Sequence, residues 1–540
     1  MNVKSNCDGG HPHGVIAGTR LNPKVLLLAL GSLLLFGCFP GAEAQSGNDR
    51  LSAGLRALEA KDFSRALQDF SELVRTDPSA TNVGYLAVAE SGAGKLRQSI
   101  ADFQRAIRLG NDSVLTRYGL GSAYLRSHQP EDAARELRLV LARDPNNAPT
   151  RYALGVALVN MQRAHEAIPY LEEARKHSVN NAQIWVSLAQ AYFQDKDPDA
   201  AIRLTDDATA AIPDDPPLLI ALARLCVHYQ QLTKARTLLE SAVELQPHDL
   251  EATVLLAKVC LYSGYPAETL EVLNDLPPGT GKPRETLTLT AEARALTGNL
   301  DLARIDLSMA LEAEPNNPRY LRVSAWLDQM QSRFEPALAT LKRARDLGGE
   351  TPDLLYEMAI SAYFLGDFAQ AAEGCADVLR LDPGYDRAYL LEGLSELELN
   401  ETGPACAAIQ HAVALRPQSA LYHRELGVTF CRMLDLAASE TELDRALTLD
   451  PHDVQAYYWR AQVLDQKDEP QRAIEDLETA IALEPQFAQA YAALAKLDSA
   501  QGQGQKAAAM LETEKKLEQA ERPRDRSRSL LWQELSAPLP

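Results

Sequence analysis

The chain has 540 residues and a formal net charge of −20 at pH 7, with 74 acidic side chains against 54 lysines and arginines. This excess of negative charge argues against general nucleic-acid binding, because a protein that binds phosphates needs a basic surface. A chain of this length would usually form three or four domains of about 150 residues. An internal repeat instead predicts one elongated array of similar units.

The first predicted element is an export signal. Arg20 and Lys24 precede an apolar run at residues 25–36, and a short Ala-Glu-Ala sequence ends at Ala44. A basic segment, a short apolar segment and an A-x-A site in this order are typical of a secretory signal peptide. The apolar run is shorter than the ~20 residues that a membrane-spanning helix needs. We therefore predict a signal peptide at residues 1–44 and an exported mature chain, either periplasmic or secreted.

A second cleavage site lies within the same segment. Residues 35–38, Leu-Phe-Gly-Cys, resemble a bacterial lipobox, in which the cysteine is lipidated and becomes the new amino terminus. The phenylalanine departs from that pattern, where a small residue is common. We favour cleavage after Ala44 and keep lipidation of Cys38, which would give an outer-membrane lipoprotein, as the alternative. Such a lipid anchor is the only attachment to a membrane that we expect.

A proline recurs along the rest of the chain with a period of 34 residues. The gaps between successive members of the series are 34 residues or twice that number, to within one residue. The series consists of Pro78, Pro145, Pro213, Pro247, Pro315, Pro383, Pro417, Pro451 and Pro485. A fixed period of this size indicates an array of stacked supersecondary units and not a globular enzyme core.

The pattern within each unit predicts two helices joined by a turn. Apolar residues recur three and four positions apart in two successive runs, which is the spacing of one helix face. Turn-forming residues such as Gly366 and Asp367 separate the two runs. The recurring proline is expected to end the second helix, because the residue before a proline is pushed out of the helical region.

Two positions of the unit carry small side chains. Counted from the start of each unit, position 8 holds glycine in several units, among them those with Gly121, Gly155, Gly393 and Gly427, and alanine in most others. Position 20 holds alanine in most units. Side chains of this size predict that the two helix axes of a hairpin approach each other closely.

This pattern resembles the tetratricopeptide repeat in its length, its phase and its small-residue positions. The resemblance implies an all-α fold, a right-handed α-solenoid of about fourteen helical-hairpin repeats over residues 45–521. For residues 522–540 we predict a disordered tail or a short docking helix anchored by Trp532. The units are expected to start near Gly47, Ala80, Val114, Ala148, Ala182, Pro216, Leu250, Arg284, Pro318, Pro352, Asp386, Ala420, Val454 and Ala488.

In tetratricopeptide arrays the first helix of each hairpin lines a concave groove through positions 2, 5, 9, 12 and 13. Here these positions carry aromatic, aliphatic and basic side chains, which suit an extended peptide or a partner helix. For any single aromatic residue, packing between neighbouring hairpins is the competing interpretation. The candidate partner-binding residues are Tyr118, Arg126, Tyr152, Phe193, Arg224, Lys258, Tyr262, Arg322, Trp326, Tyr356, Tyr363, Arg424, Arg432 and Tyr458.

No catalytic, nucleotide, cofactor or metal site is predicted. Residues 277–282, Pro-Pro-Gly-Thr-Gly-Lys, resemble part of a phosphate-binding loop, but the first glycine of that motif is missing. Pro283 also stands where a serine or threonine would hold magnesium. The cysteines of the mature array show no C-x-x-C spacing, which favours buried free thiols. They are Cys226, Cys260, Cys375, Cys406 and Cys431.

Together these features predict a non-catalytic interaction scaffold or assembly factor of the bacterial cell envelope, with a protein as its partner. One alternative is a lipid-anchored accessory of pilus or outer-membrane assembly. Another is a glycan-handling accessory, which the aliphatic character of the predicted groove disfavours.

Overall fold

The computed structural model describes residues 44–247, 249–276, 284–520 and 531–536. The chain divides into two compact units. We call the described residues up to Ser263 the N-terminal unit and those from Gly264 onward the C-terminal unit. The export signal with Cys38, the sequence at residues 277–283 and residues 522–530 lie outside the described part of the chain.

The N-terminal unit consists of α-helices joined by short turns. Its helices are α1 Ala44–Glu59, α2 Phe63–Thr76, α3 Ala80–Gly92, α4 Leu96–Arg108, α5 Val114–Arg126, α6 Pro130–Arg143, α7 Ala148–Asn160, α8 Ala164–His177, α9 Ala182–Gln194, α10 Pro198–Ala211, α11 Pro216–His228, α12 Leu232–Leu245 and α13 Leu250–Tyr262.

The C-terminal unit also consists of α-helices. Its helices are α14 Pro266–Asn274, α15 Arg284–Leu296, α16 Leu300–Ala313, α17 Pro318–Met330, α18 Phe334–Gly348, α19 Pro352–Leu365, α20 Phe368–Leu381, α21 Asp386–Glu398, α22 Thr402–Leu415, α23 Ala420–Arg432, α24 Leu436–Leu449, α25 Val454–Gln466, α26 Pro470–Leu483, α27 Ala488–Ala500 and α28 Gly504–Ala520. Residues 531–535 form a further short helix.

These helices confirm the predicted all-α hairpin array in the described residues, which contain no strand. From Ala80 onward, every first helix of the 34-residue frame begins at the predicted residue, and the earliest helix of the described residues begins at Ala44 instead of near Gly47. Within each unit, most helices that follow one another contact each other, and several successive first helices do so as well. We call the side formed by these first helices the first-helix surface.

Local sequence sets the helix ends. The helix Phe63–Thr76 stops where Asp77 takes an extended conformation, with φ −135° and ψ 90°, directly before a recurring proline. This is the expected effect of proline on the residue before it. At the other end, Ser113 and Asn147 cap first helices by accepting hydrogen bonds from backbone N–H groups three residues later, at 3.2 and 3.1 Å.

Glycine at position 8 allows the second helix of a hairpin to pack directly on the backbone of the first. A Cβ atom at Gly155 would lie 2.5 Å from Cγ of Leu171, and one at Gly427 would lie 2.7 Å from Cγ of Leu443. Both leucines occupy position 24 and are fully buried. The predicted close approach of the two helices therefore depends on the contact between the position-8 glycine and the position-24 leucine.

A substitution at this contact tests its contribution to stability. We expect Gly155→Leu to lower the free energy of unfolding by about 1–3 kcal/mol, because the added side chain overpacks the site next to Leu171. The control is Gly403→Leu, since a Cβ at Gly403 meets nothing within 4 Å. Urea unfolding followed by circular dichroism measures both variants. Equal stability of the two variants would contradict the proposed packing constraint.

Candidate partner-binding surface

All of the candidate partner-binding residues lie on first helices, but several of them are buried in the packing between helices. In the N-terminal unit, Tyr118 and Tyr152 are only 7% and 2% exposed, and burial raises the pKa of both hydroxyls. Phe193 is also buried and stacks on Tyr229, with 4.7 Å between ring centroids. These three side chains offer little area to a partner in this structure.

A smaller set of candidates in the N-terminal unit reaches solvent. Arg224 is exposed and forms an ion pair with Glu251 at 2.5 Å. Tyr262 is 40% exposed, and Lys258 is half-buried.

Two candidate arginines link successive first helices. Arg126 donates a hydrogen bond of 2.6 Å to the carbonyl oxygen of Ser91. Arg432 donates one of 3.1 Å to the carbonyl oxygen of Leu397, and its other terminal nitrogen lies 3.7 Å from Glu398. In both cases a position-13 arginine bonds the position-12 carbonyl of the preceding repeat. The same interaction therefore recurs in both units as a contact between hairpins.

The aromatic candidates at positions 5, 9 and 12 of the C-terminal unit take part in packing to different degrees. Trp326 is 8% exposed. Tyr363 is half-buried and meets Phe368 edge to face at 5.3 Å. Tyr458 is half-buried and meets Phe487 in the same manner at 5.4 Å.

Arg322 forms a buried ion pair with a neighbouring repeat. Its guanidinium donates to the two carboxylate oxygens of Glu357 at 2.6 and 3.2 Å. Burial raises the pKa of Glu357, which is 7% exposed, while Arg322 opposes that rise. This geometry assigns Arg322 mainly to the contact between α17 and α19.

The remaining two candidates, Tyr356 and Arg424, hold a segment of the chain itself. Residues 531–536, which we call the tail segment, lie against the first helices α19, α21 and α23. The Tyr356 hydroxyl donates a hydrogen bond of 2.9 Å to the carbonyl oxygen of Leu535. Nη1 of Arg387 donates one of 2.7 Å to the carbonyl oxygen of Ser536. Both bonds go to the peptide backbone, so they hold the segment without selecting its side chains.

Arg424 provides the charged contact to the tail segment. It is 6% exposed and donates from Nη2 and Nη1 to the two carboxylate oxygens of Glu534, at 2.9 and 3.3 Å. Asp453 and Glu425 also pair with this guanidinium, at 3.1 and 2.9 Å. Burial alone would lower the pKa of Arg424, but the surrounding carboxylates raise it above its usual value. The arginine therefore keeps its charge where it can recognise a carboxylate.

Apolar contacts complete the interaction. Trp532 and Leu535 are 8% and 1% exposed, and they belong to the apolar cluster that contains Tyr356, Leu390 and Tyr422. The two anchors are three residues apart and so lie on one face of the short helix, while Gln533 between them is exposed. We call the surface formed by Tyr356, Arg387, Leu390, Tyr422 and Arg424 the tail site.

The tail site follows the period of the repeat. Tyr356, Leu390 and Arg424 are the position-5 residues of three successive hairpins, exactly one 34-residue period apart. Arg387 occupies position 2, which the resemblance also assigns to the lining of the surface, but it is not among the predicted candidates. The acidic and aliphatic contacts of the tail, Glu534 and Leu535, were not predicted either.

The described residues contain no group of three histidine, cysteine or carboxylate side chains that could hold a metal ion. No described helix combines the length and apolar character needed to cross a membrane. The cysteines from Cys226 to Cys431 are buried, and burial raises the pKa of the Cys226 thiol to about 11.

Comparisons with known proteins agree with the hairpin array. Models of the tetratricopeptide repeat match residues 85–148, 158–225, 356–420 and 424–486. No curated protein sequence matches the chain. The structure of the APC/C hetero-tetramer Cut9-Hcn1 is 15% identical over 84% of this chain and 97% of that one, with a TM-score of 0.44.

Two bacterial structures are also similar. MamA 41-end from Desulfovibrio magneticus RS-1 is 24% identical over 32% of this chain and 96% of that one, with a TM-score of 0.30. A tetratricopeptide repeat protein from Parabacteroides merdae ATCC 43184 is 20% identical over 44% of this chain and 94% of that one, with a TM-score of 0.39. These TM-scores are below 0.5, and nothing about the partner of this chain follows from them.

The repeated hairpins define the class of the protein, a helical-repeat scaffold for protein–protein interaction. The chain belongs to the tetratricopeptide repeat family.

The buried pair between α17 and α19 gives a test of which candidates are structural. We expect Arg322→Met to lower the free energy of unfolding by about 3 kcal/mol, because it leaves the carboxylate of Glu357 buried without its partner. Replacing both residues by methionine should restore most of that loss. The control, Arg224→Met, removes an exposed ion pair and should cost less than about 1 kcal/mol. Equal effects of the two single substitutions in urea unfolding would contradict the assignment.

Proposed function

We propose that this chain is an exported, non-catalytic scaffold that binds a short segment of a partner protein at the tail site. The observation that carries the proposal is that this surface already holds a peptide segment through backbone, charged and apolar contacts. Those three kinds of contact are the ones that recur where domains recognise short helices or extended peptides.

The chemistry of the tail site favours a polypeptide over a glycan. Tyr356 and Arg387 donate to backbone carbonyl oxygens, and Trp532 and Leu535 pack into an apolar cluster. A glycan would need polar side chains along the whole surface to satisfy its hydroxyl groups, but the centre of the tail site is Leu390. The glycan-handling alternative therefore has little support from this surface.

The cell envelope is proposed as the place of action because of the predicted signal peptide. A scaffold that binds through a repeat surface and has no predicted cofactor would act there by holding proteins together during assembly. The lipid-anchored form, modified at Cys38, remains the alternative within the same proposal.

Photo-crosslinking tests where a partner binds. A photoreactive amino acid in place of Arg387 should form an adduct with an envelope protein, and an excess of a synthetic peptide of residues 526–540 should suppress that adduct. The control is the same label in place of Ala376, which is exposed on the second helix α20. Identical adducts from the two positions, or an adduct at residue 387 that the peptide leaves unchanged, would contradict binding at the tail site.

Mass spectrometry of the mature protein tests export and decides how the chain is processed. We expect a mature amino terminus at Gln45, without modification. An acylated amino terminus at Cys38 would contradict that prediction and support the lipid-anchored form. A protein that keeps residues 1–44 when expressed in a bacterium with a cell envelope would refute the export proposal.

A further inference from the structure

The tail segment does not extend the array as the next repeat would. The last described helix of the array is Gly504–Ala520, and residues 531–536 contact α19, α21 and α23, which belong to earlier hairpins of the same unit. Two further hairpins, from Val454 to Ala520, lie between these helices and the tail in the sequence. The segment thus occupies the first-helix surface in the manner of a ligand.

We propose that the tail segment is a built-in competitor for the partner site, so that a partner must displace it from the tail site. This inference rests on the proposed function, and it adds the chemical class of the ligand and a means of regulation. The occupant is this chain's own tail, bound within the same molecule.

The contacts of the tail segment describe the ligand that the site accepts. It presents an aromatic side chain at Trp532, an acidic one at Glu534 and an aliphatic one at Leu535. Gln533 points away from the surface and is exposed. A competing partner segment is therefore expected to be a single helical turn with two apolar anchors three residues apart and a carboxylate placed to reach Arg424.

Several features suit the tail segment to exchange. A six-residue segment cannot hold a helix by itself in water, so its conformation depends on the surface beneath it. The Nε1 hydrogen of Trp532 is buried but finds no acceptor among the described residues. Leaving a buried donor unsatisfied weakens an interaction. A partner whose anchor lacks that donor, such as phenylalanine or leucine, would avoid this cost.

The charged contact also tolerates loss of the tail. Arg424 keeps Asp453 and Glu425 as partners when Glu534 leaves, at distances of 3.1 and 2.9 Å. The guanidinium would therefore not be left buried and unpaired. A vacated site would present the same charge in the same orientation to the carboxylate of a partner.

Tethering makes the tail an effective competitor despite these modest contacts. A segment linked to its own site by a short connection has an effective concentration of about a millimolar. Occupancy by the tail lowers the apparent affinity of a partner in proportion to the fraction of vacant sites. Any event that changes the fraction of vacant tail sites would therefore regulate the binding of a partner.

The test compares the full chain with a variant that releases the tail. The released variant carries Trp532→Ala and Leu535→Ala, and the matched control carries Gln533→Ala at the exposed position between them. The probe is a fluorescein-labelled peptide of residues 526–540, and its binding is followed by fluorescence anisotropy. We expect the released variant to bind the probe at least tenfold more tightly than the wild type or the control does.

The specificity of the site is tested by the probe itself. A probe with Glu534→Lys should bind the released variant at least tenfold more weakly, because it places a positive charge beside Arg424. The anchors lie outside the repeats, so circular dichroism spectra of all variants should coincide and show that the helical array stays folded. Equal affinity of the wild type and the released variant for the probe would overturn the proposal, as would absence of binding to the released variant.

A third comparison separates this inference from the proposed function. Placing the photo-crosslinker at residue 387 in the released variant should raise the yield of the partner adduct several-fold. An unchanged yield would overturn competition by the tail while leaving partner binding intact. Absence of any adduct in every variant, together with normal probe binding, would refute the proposed function but leave tail docking in place. Tail occupancy that rises with protein concentration would assign the bound tail to a second copy and overturn binding within one molecule.

Discussion

Close packing between the two helices of each hairpin is the constraint on which the rest of the structure depends. Glycine or alanine at position 8 lets a buried side chain at position 24 rest on the backbone of the first helix, as Gly155 and Leu171 illustrate. The same contact recurs at other position-8 glycines, and from Ala80 onward first helices begin every 34 residues. Side chains at equivalent positions then form rows along the first-helix surface, and the row of Tyr356, Leu390 and Arg424 is the one that holds the tail segment.

The sequence predicts the hairpins well because their determinants are local. Helix starts depend on caps such as Ser113, and helix ends depend on a proline that constrains the residue before it, as at Asp77. Both effects act within a few residues, so they can be recognised in a single repeat. The small side chains at positions 8 and 20 likewise identify the face on which the two helices meet.

The candidate site could be predicted only in part. The position rule identified Tyr356 and Arg424, but it also selected Tyr118 and Tyr152, which are buried. Exposure at a given position depends on the size of the side chains in adjacent hairpins, and the pattern of one repeat does not contain that information. The tail presents a similar problem, because its contacts join residues more than a hundred positions apart, as Arg424 and Glu534 show. Nothing in the short sequence around Trp532 indicates which hairpins it contacts.

The tail segment gives the first-helix surface a functional interpretation that the repeat alone does not provide. It demonstrates one arrangement of backbone, acidic and apolar groups that the surface can hold. Two of its hydrogen bonds, from Tyr356 and Arg387, would serve any peptide backbone, while Arg424 and the apolar cluster select particular side chains. The same surface can therefore combine general affinity for a peptide with a defined sequence preference.

Fluorine NMR of the protein labelled with 5-fluorotryptophan tests the docking of the tail most directly. The chain has four tryptophans, and a Trp532→Phe variant assigns the signal of interest. A docked tail predicts that the Trp532 signal is insensitive to exchange of H₂O for D₂O, and that it becomes sensitive when excess unlabelled peptide of residues 526–540 is added. A Trp532 signal that responds to solvent exchange in the full chain before any peptide is added would contradict docking.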